Sequence, residues 1–84
     1  MVSDGDCIAI FHSVHRVMKA EKILQGQQIS FLLIPVPRQL SADCGMALRF
    51  SSAICQAVED ALNQAGLAIG ELWLMENGKY RRLT

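Results

Sequence analysis

The stretch "LSADCGMALRF", residues 40–50, sets a thiol between an acid and a glycine, Asp43, Cys44 and Gly45, just ahead of an apolar run. Free cysteines are usually small buried hydrophobes, so a chemical role for Cys44 depends on its neighbours. The thiolate is the nucleophilic form, and a helix N-terminus or a nearby cation favours it. Upstream, "HSVHR" supplies His12, Ser13, His15 and Arg16, and Arg38 stands at the head of the cysteine's own loop. A histidine within hydrogen-bond reach can serve a thiol as base, while Arg16, Lys19 or Arg38 can lower its pKa. Gly45 lets the backbone bend at the sulfur and leaves room for a partner. Asp43 works the other way, since a carboxylate beside a thiolate raises the thiol pKa; its other use is to brace the loop. The expected balance is a Cys44 pKa below the roughly 8.5 of a free cysteine.

Each residue also has a plain reading. His12 ends a strand, His15 and Arg16 fit an exposed first helical turn, and Arg38 and Arg49 fit surface charges. Cys7, within a strand, and Cys55, beside the apolar face of a helix, read as structural thiols.

Only a fold can gather such scattered residues. "CIAIFHS", residues 7–13, reads as strand one, ended by His12 and Ser13. Val14, Val17, Met18, Ala20 and Leu24 then recur at helical spacing, with Ser13 as N-cap and Gly26 as the stop. "ISFLLIPVP" begins as a strand at Ile29 and is ended by Pro35 and Pro37, which remove backbone donors. "MALRF" is a short third strand. "SSAICQAVEDALNQAG" places Ile54, Val58, Ala61, Leu62 and Ala65 on one helical face, with serines to cap it and Gly66 to end it. "ELWLMENGKYRRL" alternates through Asn77-Gly78, a strong hairpin signal, so the fourth strand is expected to turn back into a fifth.

The order predicts an α+β domain over residues 1–84 of the ferredoxin-like βαββαβ kind, with an antiparallel sheet, two helices on one face and a C-terminal hairpin extension. Strand three then lies between strands one and two. His12, Ser13, His15 and Arg16 fall on the same sheet edge as Pro35, Pro37, Arg38, Asp43, Cys44 and Gly45. Both alternating sets of strand one, Ile8 with Ile10 and Cys7 with Ala9 and Phe11, are apolar. The face away from the helices is therefore expected to be covered, most simply by a second copy of the chain.

Composition bounds the rest. The 84 residues allow one core but no large internal cavity. Apolar residues at 51% and charged ones at 19% describe a folded chain leaning hydrophobic. Eight basic side chains cancel eight acidic ones, so no overall field draws nucleic acid or anionic membrane. The basic cluster "KYRR", residues 79–82, reads as a solvated strand edge. "MVSDGDC" carries acids where a secretion signal carries cations, and no apolar run approaches the roughly 18 residues of a membrane span, so a cytoplasmic protein is expected. Three cysteines without C-x-x-C spacing argue against a disulfide framework and against a zinc site closed by one chain. Neither metal nor cofactor is expected.

The stretches "IFHSVHRVMKAEKIL" and "IPVPRQLSADCGMALRF", with the spacing between them, resemble the selenium/sulfur carrier-like family of small bacterial proteins. The resemblance covers roughly residues 8–75. It rests on His12, Ser13, His15 and Arg16, and on Pro37, Arg38, Leu40, Ser41, Asp43, Cys44 and Gly45. It implies that Cys44 carries the chalcogen. The hairpin after Asn77 and Cys55 fall outside the matched motifs.

Three function classes follow. A carrier accepts sulfur or selenium on Cys44 as a persulfide or its selenium counterpart from a donor protein and passes it to an acceptor protein. It needs an exposed nucleophile and a docking surface, not a deep pocket. A metal-binding module would use Cys44, His12 and His15. A regulatory or interaction dimer would leave Cys44 incidental, since folds of this class host unrelated functions. A phosphate-handling enzyme is disfavoured, because no glycine-rich loop precedes a helix.

Overall fold

Among the described residues the strands and α-helices follow in the order β1 (Asp6–Ile10), α1 (Val14–Gly26), β2 (Leu32–Pro35), β3 (Met46–Ser51), α2 (Cys55–Gln64), β4 (Glu71–Glu76) and β5 (Lys79–Arg82). A computed structural model describes residues 2–40 and 45–84. The architecture is α+β, a five-stranded antiparallel sheet with two helices.

Local chemistry accounts for most boundaries. Ser13, in extended backbone, caps α1 by accepting the Arg16 N–H at 3.4 Å. Gly26 does not make the stop; it is the last helical residue, and Gln28 takes the left-handed turn at φ 58. There the Ile29 N–H closes onto the Leu24 carbonyl at 2.9 Å, tying a half-buried side chain to a buried one. A 3-10 turn, Ser52–Ile54, leads into α2, with Ser51 accepting the Ala53 N–H at 3.2 Å. Gly66, at φ 74, ends α2 as expected, and the Leu67 N–H returns to the Leu62 carbonyl at 2.9 Å. β2 starts at Leu32 rather than Ile29.

The strand order is β2-β3-β1-β4-β5. β3 pairs antiparallel with both β1 and β2 and lies between them, as the sequence predicts. The fifth strand makes the sheet differ from a simple four-stranded plan. Asn77 and Gly78, at φ 53 and 75, reverse the chain so that Glu76 pairs with Lys79 and β5 becomes the outer edge beside β4.

Cys7, Ala9 and Phe11 face the helices and pack with Val17, Ala20 and Leu24 of α1 and with Val58, Ala61 and Leu62 of α2. The expectation of a covered second face is met from within the chain. Ile8, Ile10 and Ala47 are buried there, under Val2, Ile34, Leu40, Trp73 and Tyr80.

Candidate functional site

The sheet register builds one edge. Ile10, the last residue of β1, pairs with Ala47 on one side and with Glu71 on the other. Beyond Ala47 the chain leads back to Gly45, whose carbonyl accepts the Val36 N–H at 3.0 Å just after β2. Beyond Ile10 it leads to Phe11, which is buried, and then to His12. The backbone therefore brings His12 and Gly45 to one edge, each two residues past the Ile10–Ala47 pair.

His12 adopts φ 61, the left-handed region that a residue with a β-carbon enters at a cost of about 1–2 kcal/mol. That turn takes the chain from a core strand to the Ser13 cap within two residues. It also sets the imidazole against β4. Nε2 of His12 lies 2.6 Å from Oε2 of Glu71. The other carboxylate oxygen, Oε1, accepts the Trp73 indole N–H at 3.0 Å and lies 3.9 Å from Nη1 of Arg82. The Arg82 guanidinium in turn sits 5.8 Å from the Trp73 ring centroid. Glu71 is only 16% exposed, whereas His12 is 53% exposed, so the carboxylate is the fixed partner and the imidazole borders solvent.

The remaining predicted site residues are placed as follows. His15 and Arg16 are exposed on the first turn of α1, and Arg38 is exposed in the turn after β2, where the Leu40 N–H meets the Pro37 carbonyl at 3.0 Å. Gly45 is exposed beside Val36. Asp43 and Cys44 lie outside the described residues. Among the described residues no group of three or more His, Cys, Asp or Glu could hold a metal ion.

Cys7 and Cys55 behave as the sequence suggests for structural thiols. Cys7 is fully buried in β1, and Cys55, half-buried at the start of α2, packs on the same cluster. Burial pushes the Cys7 thiol up to about 12, with further contributions from Cys55, Asp6 and Glu59. Burial also raises Cys55, against a smaller lowering by its hydrogen bond with Cys7. Neither is suited to nucleophilic work near neutral pH.

At the opposite end of the strands, a cleft of about 300 Å³ is lined by Asp6, Phe31, Leu32 and Arg49. It is remote in register from His12, since Asp6 pairs with Ser51 at the far end of β1.

Sequence reasoning missed Glu71, Trp73, Arg82 and Gly70. The available signal was Glu-x-Trp at the head of an alternating strand, which puts an anion and an indole donor on one face. Nothing in the spacing tied that pair to His12.

A family model described as "Putative Se/S carrier protein-like" matches residues 6–74, from the start of β1 into β4. The chain belongs to that family. The match to the Se/S carrier-like family spans His12, Cys44, Gly45 and Glu71, and leaves out β5. No curated protein and no solved structure matches the chain. Among the described residues no helix is long and apolar enough to cross a membrane.

Proposed function

We propose that this member of the Se/S carrier-like family holds sulfur or selenium on Cys44 for transfer between a donor protein and an acceptor protein. Family membership over residues 6–74 carries the reading. Chemistry adds to it, because the other two thiols are raised by burial and Cys44 is the cysteine left for nucleophilic work. A carrier of this kind turns over no substrate of its own. His12, His15, Arg16, Arg38, Asp43 and Gly45 accompany Cys44 as the group that receives and releases the chalcogen.

The domain is read as the ferredoxin-like plan with β5 added at the edge. A homodimer through the sheet face away from the helices belongs to the same reading. It rests now on Leu32, which is 53% exposed on that face, rather than on β1, whose residues the chain itself covers. The expected compartment is the cytoplasm, where thiols stay reduced.

The test is direct. The reduced protein is incubated with a cysteine desulfurase and cysteine, and added sulfur is mapped by peptide mass. Sulfur on Cys44, absent from Cys44→Ser, is expected. Sulfur on Cys55 instead, or on no cysteine, would overturn the reading and favour the regulatory dimer.

A further inference from the structure

We propose that β2 is the pairing edge for a second copy of the chain, laid antiparallel on its own β2 with Leu33 on the two-fold axis. The inference rests on the homodimer reading and names the contact that makes the dimer; it stands apart from the carrier chemistry.

The phase of the ladder fixes which backbone groups of β2 point outward. In an antiparallel pair, opposed residues alternate between those that exchange hydrogen bonds and those that do not. The Val36 N–H donates to the Gly45 carbonyl at 3.0 Å, and the register runs on from there through Ile34 opposite Ala47 to Leu32 opposite Arg49. Val36, Ile34 and Leu32 therefore turn their backbone groups toward β3. The far side of β3 gives the same phase. The Ser52 N–H donates to the Gly5 carbonyl at 2.8 Å, in register with Phe50 opposite Cys7 and Leu48 opposite Ala9, so even-numbered residues of β3 serve β1 and odd-numbered ones serve β2. Leu33 and Pro35 are left with their backbone polar groups aimed away from β3, and among the described residues no strand lies beyond β2.

Pro35 sets the register of a partner. It stands at an outward position, where its missing N–H costs the sheet no bond. With Leu33 facing Leu33 across a two-fold axis, each donates to the other's carbonyl, and Pro35 falls opposite Phe31 of the second copy, just outside β2. Moving the axis to Ile34 would set Leu33 against Pro35, which cannot donate, and would leave both Leu33 carbonyls without a hydrogen.

The side chains agree with that axis. Leu33 is 42% exposed on the helix side of the sheet, where it pairs with the buried Leu48. On the axis it meets its own copy. On the opposite face the same register sets the exposed Leu32 beside Ile34 of the second copy. Apolar cross-strand pairs of this kind stabilise sheets, and these cover what one chain leaves to water.

Charge selects this edge over the other. The outer strand β5 carries Lys79, Arg81 and Arg82, so two copies meeting there would bring like charges together. β2 carries no charged residue. The result is one sheet through both copies, with a basic strand at each far end.

Amide hydrogen exchange tests the pairing without any variant. The Leu33 N–H faces outward in one chain and is bonded in the pair, so its exchange should slow about tenfold or more as protein concentration rises through the dimer transition, while that of Ile34, bonded to β3 in either state, changes far less. Leu33→Pro removes the donor on the axis and no bond within the chain; sedimentation should then give the single chain mass, with the circular dichroism of the fold kept. Because a residue on the axis faces itself, Leu33→Lys and Leu33→Glu should each be monomeric alone and form a mixed dimer when combined. A dimer that survives Leu33→Pro, or Leu33 exchange that ignores concentration while the protein dimerises, overturns the edge and leaves a face-to-face dimer standing. Leu33 exchange that slows only when an unrelated extended peptide is added gives the edge to a foreign strand and overturns the proposal too. A monomeric unaltered protein removes the homodimer reading itself.

Discussion

Gly70 lies directly against His12: a β-carbon there would stand 2.9 Å from the imidazole Cδ2 and 2.8 Å from the Ile10 carbonyl oxygen. The carbonyl belongs to the β1 backbone and cannot yield, so only glycine leaves the ring its place. Gly70→Ala is expected to destabilise the fold by about 1–3 kcal/mol and to part His12 from Glu71. Urea unfolding reads the first effect as a lower midpoint at unchanged slope, and long-range proton–nitrogen correlation of the histidine ring reads the second. An unshifted midpoint with the Nε2–H tautomer intact would show that the close approach is not needed.

Cys7 gives the stability a pH dependence. Its folded pKa of about 12 exceeds the ordinary value of 9.0, so between those limits the folded chain holds a proton that the unfolded chain has lost. Stability from this thiol is fully present below pH 9.0 and falls as pH rises toward about 12, by roughly 1.4 kcal/mol per unit. Unfolding of Cys7→Ala and the unaltered protein, compared under reducing conditions from pH 8 to 11 (about the widest practical range), should show the steeper decline in the protein that keeps Cys7. Parallel curves would place the thiol in a more polar setting than β1 provides.

What was legible in the sequence was local. Ser13 marks a helix start because its oxygen serves a nearby N–H, Asn77-Gly78 marks a hairpin because both residues accept positive φ, and Val58, Ala61 and Leu62 mark a face by spacing alone. The meeting of His12 and Gly45 at one edge was legible too, since it follows from topology once β3 lies between β1 and β2. Glu71 was not. Its bond to His12 joins opposite parts of the chain through the β1–β4 pairing, and a carboxylate at a strand start carries no sign of its partner. The cover over Ile8 and Ile10 was likewise hidden, because Val2 and Leu40 reach that face from irregular segments that have no periodicity to read.

A second copy is expected to dock on the sheet face away from the helices. Leu32, paired with Arg49 and on the same side as Ile8, leaves half its surface there to water. Sedimentation at micromolar concentration should give twice the chain mass, and Leu32→Glu should give a folded monomer, since the side chain is exposed within one chain. A clean monomer of the unaltered protein would remove this interface.

The order of thiol labelling tests the whole arrangement. Cys7 and Cys55 are held protonated by burial, so alkylation near neutral pH should reach Cys44 first and leave the other two until the chain is unfolded. If cations favour the Cys44 thiolate, Arg16→Ala and Arg38→Ala should slow its labelling, because each removes positive charge from the edge that carries His12 and Gly45. Asp43→Asn should hold the rate or raise it, since it removes a like charge from beside the thiolate. Both arginines are exposed, and neither change should lower the unfolding midpoint, which separates an effect on the thiol from one on the fold. Peptide mapping across pH distinguishes the cases, and Cys55 labelling ahead of Cys44 in the folded protein would deprive the carrier of its nucleophile.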